Sequence, residues 1–195
     1  AALDTKAHRY GRDDHYDVVS AFIKSIRGSD PDAALYWLAL MLAAGEDARF
    51  IARRMMIFAS EDVGLADASA LQVAVAAAHA LEHVGLPEAQ LNRAEAAIYL
   101  ATAPNSNRSA LAIWNSRQDV RDGAVGEVPA HLRDSHYQGA ATPGHGTGYE
   151  YPHDHASVVQ QYLPDGLRDR RWYEPSDHGD EREISNRATR EGGLT

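Results

Sequence analysis

Five groups of residues in this chain are of types that carry chemistry. His79 and His83 stand four apart, which places two imidazoles on one face of a helix and could hold a transition metal. The run is His-Ala-Leu-Glu-His, with no glutamate base or third ligand where a zinc hydrolase would place one, so two surface or capping histidines explain it as well. His153-Asp154-His155 meets the same objection, because a turn with hydrogen-bonded imidazoles has the same composition. Ser60-Glu61-Asp62 sets a hydroxyl beside two acids. A nucleophilic triad is defined by geometry, however, and a charge pair directly after an apolar helix is also what a solvent-facing turn carries. Arg53-Arg54 and Arg168-Asp169-Arg170-Arg171 are the dense basic clusters, able to contact phosphate or to form bidentate pairs with carboxylates. With 28 acidic residues against 19 Lys and Arg, carboxylate partners are plentiful, and helix packing or subunit contact is the expected use of these arginines.

Other chemistries are excluded more directly. No G-x-x-x-x-G-K-[ST] loop is present to cradle phosphates, and no apolar strand ends in paired acids to hold magnesium. The expectation is a chain with no catalytic, cofactor or metal residues of its own. A formal net charge of -9 opposes free-standing nucleic-acid binding, which needs a basic surface to displace counterions. Cysteine is absent, so neither a disulfide framework nor a thiolate zinc site can form. No run approaches the ~18 apolar residues of a membrane span. The start, Ala1-Ala2-Leu3-Asp4-Thr5-Lys6, lacks a signal-peptide core and reads as the middle of a longer protein. A hydrophobic fraction of 44% is that of a globular protein with a sizeable core.

The elements that must position these groups read as successive amphipathic helices from 14 to 123. The first presents Tyr16, Val19, Phe22, Ile23 and Ile26 and ends at Gly28. Asp30-Pro31-Asp32 supplies a cap, a first-turn proline and a dipole-favoured acid for a second helix carrying Leu35, Leu38, Met41 and Leu42. A third begins near Glu46-Asp47, with Phe50, Ile51, Met55 and Phe58 inward. Asp67 caps a fourth, whose stripe of Leu71, Ala74, Val75, Ala78 and Leu81 is alanine-rich enough for close helix approach. Pro87 starts a fifth with Leu91, Ala94, Ile98 and Ala101 inward, broken at Pro104. Asn105 or Ser106 caps a sixth, which uses Leu111 and Trp114 and ends by Gly123. Short connections then predict an all-α bundle of about six helices. Residues 124–187, rich in Gly, Pro, His and Tyr, read as an irregular segment wrapped on the bundle by aromatic anchors such as Tyr162 and Trp172-Tyr173. Residues 1–13 read as a linker and 188–195 as a frayed tail.

Three stretches also carry a family pattern: Phe22-Ile23-Lys24-Ser25-Ile26-Arg27-Gly28-Ser29-Asp30-Pro31, the loop Ser60-Glu61-Asp62-Val63-Gly64-Leu65-Ala66-Asp67, and Tyr162-Leu163-Pro164-Asp165-Gly166-Leu167. Together they resemble the C-terminal part of the RarA/MgsA replication-associated recombination ATPases, bacterial relatives of the Werner-helicase-interacting protein. The resemblance implies a collar-like oligomerisation region of a DNA-dependent AAA+ ATPase acting at stalled forks. It also implies a tetramer, ATP and magnesium held only by an upstream ATPase region, and a cytoplasmic, nucleoid-associated protein. Phe50, Met55 and Trp114 are then candidate interface anchors. The alternative is a module that binds fork DNA or single-strand-binding protein through Arg53, Arg54, Arg168, Arg170 and Arg171. Asn105 stands where the family often has lysine, which weakens a DNA role, and Asp180 follows Gly179 where the family has an aromatic anchor for the last helix.

Overall fold

The computed structural model describes residues 12–134, 148–154 and 158–190, with side chains over 15–134, 148–154 and 158–187. Among them are seven α-helices and no strand: α1 (Arg12–Arg27), α2 (Pro31–Ala43), α3 (Ala48–Phe58), α4 (Ser69–Val84), α5 (Ala89–Thr102), α6 (Arg108–Arg121) and α7 (Glu181–Arg190). The all-α expectation therefore stands, with α7 added across the end of the segment expected to be irregular (to 187) and the first residues of the expected tail, and with α1 beginning inside the expected linker 1–13. Residues 1–11 of the expected linker 1–13, His155, and residues 191–195 of the expected tail 188–195 lie outside the described residues.

Contacts divide the chain into two units. Residues 12–110 with 175–188 belong to the first, and most of 111–174 to the second. In the first unit, α1 buries Val18, Val19, Phe22, Ile23 and Ile26, whose three- and four-residue spacing forms one stripe. Tyr16 falls off that stripe and is exposed. The chain leaves α1 through Ser29, whose φ of 58° makes it, rather than Gly28, the left-handed residue of the turn. Asp30 then caps α2 by accepting from the Ala33 amide at 2.9 Å, with Pro31 at the first helical position. Asp47 caps α3 in the same way, accepting from Arg49 N–H at 2.9 Å.

Helix α5 corrects the sequence reading. Leu91 and Ile98 were expected inward, yet they are 68% and 41% exposed. The buried stripe is Ala89, Arg93, Ala96, Ala97, Leu100 and Ala101. Alanines on this face meet Ala70, Ala74 and Ala77 in the core from α4, and helices with small contact residues pack closely. Leu71 on α4, also expected inward, is exposed for the same reason. A fully buried arginine in the middle of this stripe was not anticipated.

The second unit is built differently. Among its described residues none is buried, so these form no core of their own. It is held by polar pins, the firmest of which is Asp119 on α6. No helix of the described residues is long and apolar enough to cross a membrane.

Candidate functional site

The loop that carries the family pattern is a structural hub. Helix α3 runs on into a π turn, Ala59–Val63, and a 3-10 turn, Gly64–Ala66. Arg27, at the end of α1, clamps Asp62 through Nε at 2.6 Å and Nη2 at 3.0 Å. That bidentate pair, chiefly its hydrogen bonds, holds the guanidinium pKa above its ordinary value. The Asp62 carbonyl accepts from Ser106 N–H at 2.7 Å, and Asn105 donates to the Arg27 carbonyl at 3.2 Å. Gly64, at φ 55° and ψ -132°, turns the chain where a Cβ would sit 2.8 Å from the Ser106 carbonyl oxygen. Asp67 takes a hydrogen bond from Ser69 N–H at 2.9 Å and from the Tyr99 hydroxyl at 2.6 Å. The second bond raises the Tyr99 pKa, because phenolate would face carboxylate.

The far side of the hub is closed by residues that sequence reasoning missed. Glu181, the first residue of α7, is fully buried and accepts from the Ser106 hydroxyl at 2.6 Å, from Ser176 N–H at 2.8 Å and from the Ser176 hydroxyl. Asp180 N–H donates to the Ala66 carbonyl at 2.9 Å. The last helix is thus anchored by a buried carboxylate in place of an aromatic side chain. An acid in the first turn of a helix, following Ser176 by five residues, was the available signal.

These contacts assign the candidates. Ser60 is exposed, and the neighbouring acid Asp62 is committed to Arg27, so no nucleophile assembles there. His79 and His83 are exposed on α4 with ring centroids 6.4 Å apart, and among the described residues no group of three potential ligands could hold a metal. Arg53 lies 3.9 Å from Asp47 and over the Phe50 ring, while Arg54 is half-buried. Phe50 is half-buried beside His15. Met55 must be corrected as an interface anchor: at 1% exposure it packs inside the first unit, since its stripe faces α4. Trp114 is 46% exposed and keeps a free surface.

In the second unit Arg170 grips Asp119 with Nε at 2.6 Å and Nη2 at 2.7 Å, and Trp172 adds Nε1–H at 2.8 Å. Arg168 pairs with Asp165 at 3.1 Å, and Arg171 donates to the Arg168 and Arg170 carbonyls. Of the pattern residues, Tyr162 is exposed and accepts from Gln160, the Leu163 carbonyl accepts from Gln161, and Pro164 leads into the turn Asp165–Leu167. The basic cluster is therefore mostly engaged within the chain.

The hydrogen bonds from Arg170, then Trp172, hold the Asp119 carboxyl below the usual carboxylate range. A depressed folded-state value means that this pin contributes above the unfolded value of about 3.9 and is lost only as pH falls through the lower folded one. Near-UV circular dichroism, compared with Trp172→Phe to isolate that indole, should show its signal surviving below about pH 4. Asp119→Asn should abolish the acid transition. A Trp172 signal unaltered by Asp119→Asn would refute the pin.

The arrangement defines an all-α scaffold whose polar groups are spent on joining elements to one another. The chain belongs to the family described as "MgsA AAA+ ATPase C terminal", whose model matches residues 28–191. It is 58% identical over 193 residues to an uncharacterized AAA domain-containing protein of Mycobacterium tuberculosis, covering 97% of this chain and 43% of that protein. It is 47% identical over 175 residues to replication-associated recombination protein A of Bacillus subtilis (89% and 41%). A third relative is the ATPase WRNIP1 of Dictyostelium discoideum, 39% identical over 167 residues (84% and 19%). The chain spans less than half the length of these relatives.

Proposed function

We propose that this chain is the assembly region of an AAA+ ATPase of replication-associated recombination, holding copies together so that ATPase regions elsewhere act as a set. The observation that carries the reading is the second unit. None of its described residues is buried, while Ile113, Trp114, Val120, Val125, Val128, and Val159 are each 46% exposed or more. Apolar side chains exposed in that number, with no core among the described residues of the unit to take them up, favour a protein-interaction role. The family resemblance implies a homo-tetramer in a cytoplasmic, nucleoid-associated protein. ATP and magnesium would be bound only by the ATPase region. A role at fork DNA, or toward single-strand-binding protein, receives less support, because Arg168 and Arg170 face carboxylates of their own chain.

Light scattering on a size-exclusion column decides the reading. A homo-oligomer is expected at micromolar concentration, and a strictly monomeric species at about 100 μM would overturn it, since stable interfaces of ~1,200–2,000 Å² form well below that. Fluorescence anisotropy on forked DNA should show weak binding with a log-log salt slope of about -2 to -3, as for ~3 phosphate contacts. Nanomolar binding at physiological salt, lost on charge reversal of Arg170 and Arg171 with the oligomer intact, would establish the DNA-binding alternative instead.

A further inference from the structure

Two apolar surfaces are left exposed by the described residues, and they match each other. The first is a groove between α2 and α5, with a volume of about 610 Å³, floored by Leu35, Leu38 and Leu42 and rimmed by Leu86 and Leu91. Leu86 and Leu91 are 54% and 68% exposed. Ala39, Ala43 and Ala94 also line it, and small side chains let a further helix approach closely. Glu88 and Glu95 lie three residues before and four after Leu91, so they share its face of α5. Both are exposed, and neither has an ion-pair partner among the described residues.

The second surface is one side of α6. Ile113 and Val120, seven residues apart, share a face with Trp114 alongside, and they are 54%, 58% and 46% exposed. Arg117 and Arg121 complete that face, both exposed and neither in an ion pair among the described residues. Asp119 projects from the opposite side of the helix, where Arg170 and Trp172 hold it. The helix is therefore fixed from behind and presents an apolar stripe in front with two cations that have no ion-pair partner among the described residues, Arg121 donating only to the Arg117 carbonyl at 3.3 Å. The groove offers leucines flanked by two free acids.

We infer that the Ile113–Val120 stripe of one copy docks in the α2–α5 groove of a second copy, with Arg117 and Arg121 facing Glu88 and Glu95. This is helix-in-groove recognition, and because it joins two different surfaces it is a heterologous contact, which propagates from copy to copy and ends only where its rotation closes a ring. The inference rests on the assembly reading above and names its surface.

Two variants separate them. Leu91→Glu spoils the groove and leaves the stripe; Ile113→Glu spoils the stripe and leaves the groove. Both positions are more than half exposed in the single chain, so each variant should stay folded, with the helical far-UV circular dichroism of the parent, even where loss of the oligomer lowers its melting temperature. Each variant alone should run as a monomer by light scattering at concentrations where the parent chain is an oligomer. Mixed in equal amounts, they should form a one-to-one pair, because one intact groove and one intact stripe remain, and the pair cannot grow. If both variants keep the parent's mass, this surface is wrong while the assembly reading stands. Variants that dissociate but fail to pair also overturn the proposal, and a monomeric parent chain overturns both readings. Capture of an unrelated helix by the groove, with parent oligomers unaffected by either change, would assign the groove to a different partner.

Discussion

Replacing Arg93 by methionine is expected to make the protein more stable. Arg93 is 0% exposed, and its Nε, Nη1 and Nη2 have no hydrogen-bond partner among the described residues. Burial pushes its pKa below the ordinary arginine value, the direction expected when a cation is desolvated without compensation. A buried unpaired charge is among the costliest features a core can hold, at several kcal/mol. Methionine is unbranched, close in length and equally suited to a helix, so it fills the space without the charge. A gain of about 2 kcal/mol or more follows, equivalent to a rise in Tm of roughly 4–8 °C for a chain of this size. Denaturant melts of the two proteins measure it directly. A methionine variant less stable than the parent would show that the guanidinium has a stabilising partner. Arg93→Ala is the control for volume, since it removes the charge but leaves a cavity and should recover less.

Gly64→Ala should produce the opposite effect at the hub. At φ 55° and ψ -132° the backbone is in a region that an L side chain adopts only under strain, about 1–3 kcal/mol. The added Cβ would also lie 2.8 Å from the Ser106 carbonyl oxygen and 3.0 Å from the Ser109 hydroxyl. Relieving that clash means moving the strand of chain whose amide bonds the Asp62 carbonyl and whose hydroxyl bonds Glu181. The loss should reach about 3 kcal/mol or more, a fall in Tm of roughly 6–12 °C. Protection of the α7 amides from hydrogen exchange should drop with it, because α7 is held through Ser106 and Glu181. An alanine variant that melts with the parent would remove Gly64 from the hub. Gly179→Ala supplies an independent check, as its Cβ would fall 2.1 Å from the Ala66 carbonyl oxygen.

Residue types and local spacing were enough for much of this protein. The caps at Asp30 and Asp47 are local features: a carboxylate two or three residues before an amide finds it whatever the rest of the chain does. The break at Pro104, the all-α class and the family pattern are of the same kind. The buried face of α1 was legible because its apolar residues are large and evenly spaced, so one stripe outweighs every other. Tertiary structure alone decided the rest. On α5 the large apolar residues Leu91 and Ile98 face outward and alanines face inward, because close packing against the alanines of α4 is a property of two helices and cannot be read from one. Glu181 and Ser106 are 75 residues apart, and Arg170 and Asp119 are 51 apart. Whether such a carboxylate is buried and bonded or solvated depends on where the fold brings its partner. That the groove between α2 and α5 and one side of α6 keep apolar surface likewise depends on which faces the fold brings together.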